Sequence, residues 1–206
     1  LNSVILSRKD ETIDCFYTKT VATPNGWTFV IPNVDSTSYG YLYNNEITSY
    51  EKATEDFISR FDVVPDGHLT FSNYIAKDCF YGERTILNGN RLSFLEPLEA
   101  TSTDFYLKVC RYTWDYLVGD CDKERCNQLV QKEMKQIQNY VMWHYQSGSK
   151  FDTPFWDYAK SLSFNPDQEF NDMLRLSQQD YVSLKHNHAT YSQWSSTSFK
   201  NWFDNT

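Results

Sequence analysis

The sequence has little of several things. Its 206 residues include only 7 glycines and 6 prolines, and no stretch gathers enough of either to read as a linker or low-complexity tract. Basic residues are the minority charge, 19 Lys and Arg against 27 Asp and Glu, for a net charge of −8. That balance argues against electrostatic binding to nucleic acid or anionic lipid, which needs a basic surface. No apolar run approaches the roughly 18 residues needed to span a membrane. The cysteines Cys15, Cys79, Cys110, Cys121 and Cys126 are odd in number and lack zinc-knuckle spacing. They read as reduced thiols of a cytoplasmic protein with no metal. Cys121 and Cys126 with His186 and His188 would be the one grouping able to reach a metal, and nothing local supports it. The chain opens with Leu1, carries no signal-peptide pattern and stops abruptly in FKNWFDNT. Both ends read as cuts, so a piece of a longer protein is expected.

What is abundant is aromatic: 6 Trp, 15 Tyr and 14 Phe. Each such ring removes a large area from water when buried, so the chain is expected to fold. The order of patterns is strands first, helices second. GWTFVIP (26–32) alternates Trp27, Phe29 and Ile31, and YGYLYN (39–44) alternates Tyr39, Tyr41 and Tyr43, which suits strands with one buried side. TSYEKATEDFISRF then has helical spacing, with Thr48 and Glu51 as a capping box and Ala53, Phe57 and Phe61 on one face. HLTFSNYIAKDCFYGERTILNGN returns to strands.

From Asp122 to Gln146 the apolar residues Val130, Met134, Ile137, Val141 and Tyr145 repeat with helical steps, with Asp122 as N-cap and SGS (147–149) as the stop. Thr153 precedes a proline and should be extended. Beyond Asn165 one or two helices are expected. The HNH run at 186–188 is too short a signal to make a nuclease. His144 and Tyr145, at the end of the long helix, read as residues that pack or bond locally.

The stretch NGNRLSFLEPLEATS (88–102) carries the chemistry. ILNGN reads as a strand running into a tight turn at Gly89, and EPLEATST introduces a helix from about Thr101 with Asp104 in its first turn. Such a helix start leaves backbone N–H groups free to face an anion. Read from the residues alone, an ordinary loop with two solvated acids fits equally well.

Several segments in order resemble the flavin-dependent tryptophan halogenases. Gly89 to Ser102 is similar to that family's GNAxxFxEPLExTS-like stretch, with Phe94 at its aromatic position. Gly26 to Pro32 is similar to its GWxWxIP strand, and GYLYNNEITSYEKATEDF to the strand and acidic helix that follow. Asn127, His144-Tyr145 and DTPFW (152–156) match downstream, so the resemblance spans roughly residues 15–160.

The resemblance implies an α+β fold: an antiparallel substrate-side sheet with one helix over 1–85, a strand–turn–helix contacting flavin and halide over 86–103, and a helical region over 104–206. It would be part of a flavin monooxygenase or halogenase fold. The implied cofactor is FAD, contacted by Gly89, Asn90, Thr101 and Ser102, with chloride or bromide at Thr101 and Ser102. Glu99 is the implied catalytic residue, and Trp27, Phe29, Phe94 and Glu99 would meet a tryptophan or related indole. In the implied chemistry, reduced FAD from a flavin reductase and dioxygen give a flavin hydroperoxide, which a halide converts to hypohalous acid for aromatic substitution. A homodimer is also implied.

The sequence departs from the pattern in places. It has no GxGxxG motif and no segment matching the family's catalytic lysine, since Lys19, Lys52, Lys77 and Lys108 lie in unlike segments. The N-terminal FAD-binding portion is thus expected as a missing partner, and this chain alone is expected to be inactive. Phe29 replaces the strand's second tryptophan, and Arg91 and Leu92 replace small residues. Two alternatives stand beside this reading: a related flavin monooxygenase that does not use halide, and a non-catalytic aromatic-rich binding module with exposed rings.

Overall fold

The computed structural model of the chain describes residues 1–82, 84–184 and 189–204, so His186 and His188 fall outside the described residues. The chain divides into two units: Leu1–Asn73 with Gly148–Leu162, and Tyr74–Ser147 with Ser163–Thr206. The division falls elsewhere than the three segments expected from sequence. Hydrogen bonds are one reason: Thr153 Oγ1 donates to the Pro24 carbonyl at 2.6 Å and Trp156 Nε1 to the Thr23 carbonyl at 2.8 Å, tying the 148–162 segment to the strands.

The first unit is built on β1 (Ser3–Lys9), β2 (Lys19–Thr23), β3 (Gly26–Pro32), β4 (Thr37–Tyr43) and β5 (Gly67–Thr70). They form one antiparallel sheet in the order β2-β3-β4-β1-β5. Helix α1 (Tyr50–Phe61) covers one face, where Ile5, Val30, Tyr39, Tyr41 and Tyr43 bury against Ala53, Phe57 and Val63. Burying a ring such as Phe57 contributes about 2 kcal/mol, which is why the apolar face of a 12-residue helix suffices to dock it.

The strand alternation is present, but the α1 side of β3 is the Thr28–Val30 side. The register pairs Val30 with Tyr39 and Thr28 with Tyr41, so Trp27, Phe29 and Ile31 point the other way. Burial falls along that face from Trp27 (2% exposed) to Ile31 (36%). Phe29 lies over Gly40, where a Cβ would sit 2.0 Å from its ring, so a larger residue at that position would have to displace the ring. The helix cap is one residue later than expected. Ser49 accepts from the Lys52 N–H, because the buried Thr48 spends its hydroxyl on Asn25 at 3.2 Å.

The second unit begins with two short antiparallel pairs. These are β6 (Tyr74–Ile75) with β9 (Ser93–Phe94), and β7 (Phe80–Tyr81) with β8 (Thr85–Ile86). Helices α2 (Ser102–Val118) and α3 (Lys123–Ser147) pack along each other. Asp122 caps α3 by accepting from the Arg125 N–H at 2.7 Å, and the expected stripe from Val130 to Tyr145 is buried. In the first unit, α4 (Pro154–Ser161) starts at its proline after an extended Thr153.

The tail holds more than expected: α5 (Gln168–Ser177), α6 (Tyr181–Leu184), the hairpin β10 (Thr190–Tyr191) with β11 (Trp194–Ser195), and α7 (Ser196–Phe203). Its core is aromatic, with Phe170, Tyr191 and Phe199 fully buried and in edge-to-face contact. The fold is α+β. Among the described residues no helix is long and apolar enough to cross a membrane.

Candidate active site

Gly89, Asn90, Phe94, Glu99, Thr101 and Ser102 belong to the second unit, and Trp27 and Phe29 to the first. Gly89 opens a 3-10 turn (Gly89–Arg91) with φ +59, the left-handed region in which a residue with a Cβ is strained. Its N–H is already taken by the Asn88 side chain at 2.7 Å. Asn90 accepts from the Tyr106 hydroxyl of α2, also at 2.7 Å, so this turn is fastened to α2. Beside it opens a hollow of about 510 Å³ lined by Tyr81, Thr85, Ile86, Leu87, Asn88 and Arg91. Arg91 faces that hollow, whereas Leu92 is fully buried and leaves it clear. Phe94 lies in β9 opposite Tyr74.

The EPLEATS segment is held from both ends. Glu96 is buried and accepts from the Tyr145 hydroxyl, which anchors the segment to α3. Pro97 turns the chain, with the Ala100 N–H returning to the Pro97 carbonyl at 3.0 Å. Ala100 then adopts φ +51, a left-handed conformation costing on the order of 1 kcal/mol for a residue with a Cβ. Thr101 follows at φ −72, ψ −16, in the helical region. A left-handed residue followed by a right-handed one turns successive N–H groups to one side, the geometry of an anion nest. The Thr101 side chain makes no capping bond, so it does not claim the first-turn N–H groups of α2. These residues fit a halide.

Glu99 sits one residue before Ala100, with its side chain 31% exposed. Both of its oxygens are engaged. His144 Nε2 lies 2.7 Å from Oε1, and Trp194 Nε1 donates to Oε2 at 3.3 Å. His144 Nδ1 faces the Tyr140 carbonyl at 2.8 Å. A carbonyl only accepts, so Nδ1 carries a hydrogen. The contact between Nε2 and the carboxylate then needs its own proton, held by the ring or by the acid.

Around it, Trp194 stacks on Tyr140 with centroids 3.8 Å apart, and Trp202 lies 4.0 Å from the His144 ring. Burial first, and then the Glu99 charge, push the Tyr140 hydroxyl well above the usual tyrosine range. Tyr140 thus stays neutral beside the acid.

Sequence reasoning missed two of these partners. His144 does bond locally, to Tyr140, but its other nitrogen reaches Glu99 from 45 residues away. The available signal was a histidine on the buried stripe of a long helix. Trp194 had no signal, because a two-residue strand has no periodicity. Trp27 is packed away and offers little ring surface, whereas Phe29 is half-buried. Lys108 is engaged by Glu133 at 2.9 Å and Asp104 at 3.3 Å. Four of the six tryptophans, Trp27, Trp143, Trp156 and Trp194, are buried, unlike the exposed rings that an aromatic-rich binding module needs. Among the described residues no group of three or more His, Cys, Asp or Glu is placed to hold a metal.

The tryptophan halogenase family model matches residues 3–203. The chain belongs to the tryptophan halogenase family. Among its relatives are a tryptophan 7-halogenase of Kutzneria, 26% identical over 72% of this chain and 29% of that protein, and a tryptophan 6-halogenase of Streptomyces albogriseolus, 25% identical over 71% and 29%. Among solved structures, a flavin-dependent halogenase from Xanthomonas campestris superposes with a TM-score of 0.78 at 18% identity, covering 96% of this chain and 40% of that one. A tryptophan halogenase from Shewanella frigidimarina gives 0.76 at 19% identity, with 97% and 40% covered. The chain thus spans about three tenths of the length of these sequence relatives and two fifths of the solved halogenases.

Proposed function

We propose that this chain is the substrate- and halide-side part of a flavin-dependent halogenase that chlorinates or brominates tryptophan or a related indole. The observation that carries the reading is Glu99, a carboxylate gripped on both oxygens and followed directly by the left-handed–right-handed nest at Ala100 and Thr101. The N–H groups of Thr101 and Ser102 would hold the halide, helped by the positive end of α2. Gly89 and Asn90 would meet the flavin. Reduced FAD, delivered by a flavin reductase, would together with dioxygen and the halide supply hypohalous acid.

The chain's own residues then act on substrate. Phe94 offers flat apolar surface to an indole. Putting a halogen on an aromatic carbon requires that carbon to lose its proton. Glu99 takes that proton, and His144 at 2.7 Å keeps the carboxylate oriented for it. The lysine of the family pattern, and the Gly-rich part of the flavin site, would come from the portion that the relatives carry outside the matched region. One more feature supports such a partner. On α2, Leu107, Trp114, Leu117 and Val118 are exposed with Cys110 among them, opposite the buried Phe105 and Val109. A helix apolar on two faces belongs between two layers, and we assign the outer layer to that flavin-binding portion.

Assembled with that portion, reduced FAD, oxygen and bromide, the protein should convert tryptophan to a product carrying one bromine, read by its isotope pattern in mass spectrometry. A hydroxylated product would favour the monooxygenase alternative instead, and unchanged tryptophan would contradict both.

A further inference from the structure

The hairpin β10–β11 pairs only two residues on each strand, Thr190 with Ser195 and Tyr191 with Trp194. So little pairing does not hold a shape in water. Yet this hairpin delivers the indole that sets Oε2 of Glu99. Its turn contains Ser192 at φ +53, a conformation that serine adopts only under constraint.

The constraint comes from α3. The Ser192 N–H donates to Gln136 Oε1 at 3.0 Å, and its hydroxyl donates to Glu133 Oε2 at 2.8 Å. Lys108 Nζ reaches Glu133 at 2.9 Å and the Ser192 hydroxyl at 3.4 Å, and Tyr112 donates to Glu133 Oε1 at 3.0 Å. The Gln136 amide is itself oriented, because its Nε2 donates to Glu169 at 2.7 Å. The preceding Tyr191 is also tied down, donating to Asp167 and accepting from Asn139, each at 2.8 Å.

The α3 residues involved follow one another along one face: Glu133, Gln136, Tyr140 and His144. The first two latch the Ser192 turn, Tyr140 stacks under Trp194, and His144 holds the other oxygen of Glu99. One rigid helix thus sets both partners of the carboxylate. We propose that Ser192 and Glu133 are positioning residues for Glu99: they latch the hairpin so that the Trp194 indole fixes Oε2 in a single orientation. The consequence for catalysis rests on the reading of Glu99 given above, and the latch itself rests on geometry alone.

The test uses the chain with ¹⁵N-labelled tryptophan. The indole N–H signal of Trp194 is assigned with Trp194→Phe. Trp156, bonded to the Thr23 carbonyl in the other unit, is the internal reference. Glu99→Gln should move the Trp194 signal. Ser192→Gly, which frees the backbone and removes only the hydroxyl, and Glu133→Ala should each move or broaden the same signal while Trp156 stays in place. A Trp194 signal unmoved in both latch variants overturns the proposal, and so does an equal shift of Trp156, which would mean a merely global effect. In the halogenation-competent assembly, Ser192→Gly should lower kcat about tenfold with KM little changed, as expected when a reacting group is misplaced. If Glu99→Gln halogenates normally while the latch variants still move Trp194, the catalytic reading fails and the latch stands.

Discussion

At the scale of single residues, the chemistry of the second unit depends on which groups can hold or lose a proton. Cys79 is an instructive contrast to Glu99. It is fully buried, and burial, reinforced by the neighbouring Cys126, pushes its thiol up to about 12. At pH 8 it stays a thiol, so alkylation by iodoacetamide should be far slower at Cys79 than at the exposed Cys110. Peptide mapping of a time course checks this, and equal rates would contradict the burial.

The linkage has a definite sign. A raised folded-state value keeps the proton on in the native state while the unfolded thiol loses it, so this contribution to stability is intact below about 9 and is lost as pH rises toward about 12. The buried hydroxyls of Tyr41, Tyr140 and Tyr191, raised by the same desolvation, add to that alkaline loss. Urea unfolding midpoints should therefore be unchanged from pH 7 to pH 8 and should drop from pH 9 to pH 11.

At the scale of elements, the helices were more legible than the strands. The steps from Val130 to Tyr145 specify α3 because a long amphipathic helix repeats its signal many times. Strands of two residues, such as those of β6 to β9 and the Ser192 hairpin, repeat nothing, and tertiary hydrogen bonds hold them instead. The capping of α1 shows the same limit on a smaller scale. Thr48 and Ser49 are both good N-caps, and only the buried Asn25 decides between them by claiming the Thr48 hydroxyl.

Helix α2 carries its own prediction. Its outer stripe includes Cys110, Trp114 and Leu117, exposed in this chain. When the flavin-binding portion is present, alkylation of Cys110 should slow at least tenfold, the behaviour of a thiol buried in an interface. Trp114→Glu should restore the fast rate by breaking that interface. Unchanged alkylation on assembly would place the partner elsewhere.

At the scale of the whole molecule, family membership was readable because ordered motifs survive where overall identity is low. GWTFVIP, EPLEATS, HY and DTPFW lie in both units of the fold, and the family model runs from residue 3 to 203. The partners of Glu99 were not readable in the same way. His144 and Trp194 lie 45 and 95 residues away from it along the chain, and only the packing of the aromatic tail against α3 brings them to one carboxylate.

That carboxylate is the centre of the account, and one measurement tests it most directly: tryptophan halogenation by the assembled protein with Glu99 and with Glu99→Gln, together with flavin content. The amide keeps the shape of the side chain and cannot take the ring proton. The account predicts a loss in kcat of at least about a hundredfold with FAD still bound. A Glu99→Gln protein that halogenates at the unsubstituted rate would contradict it.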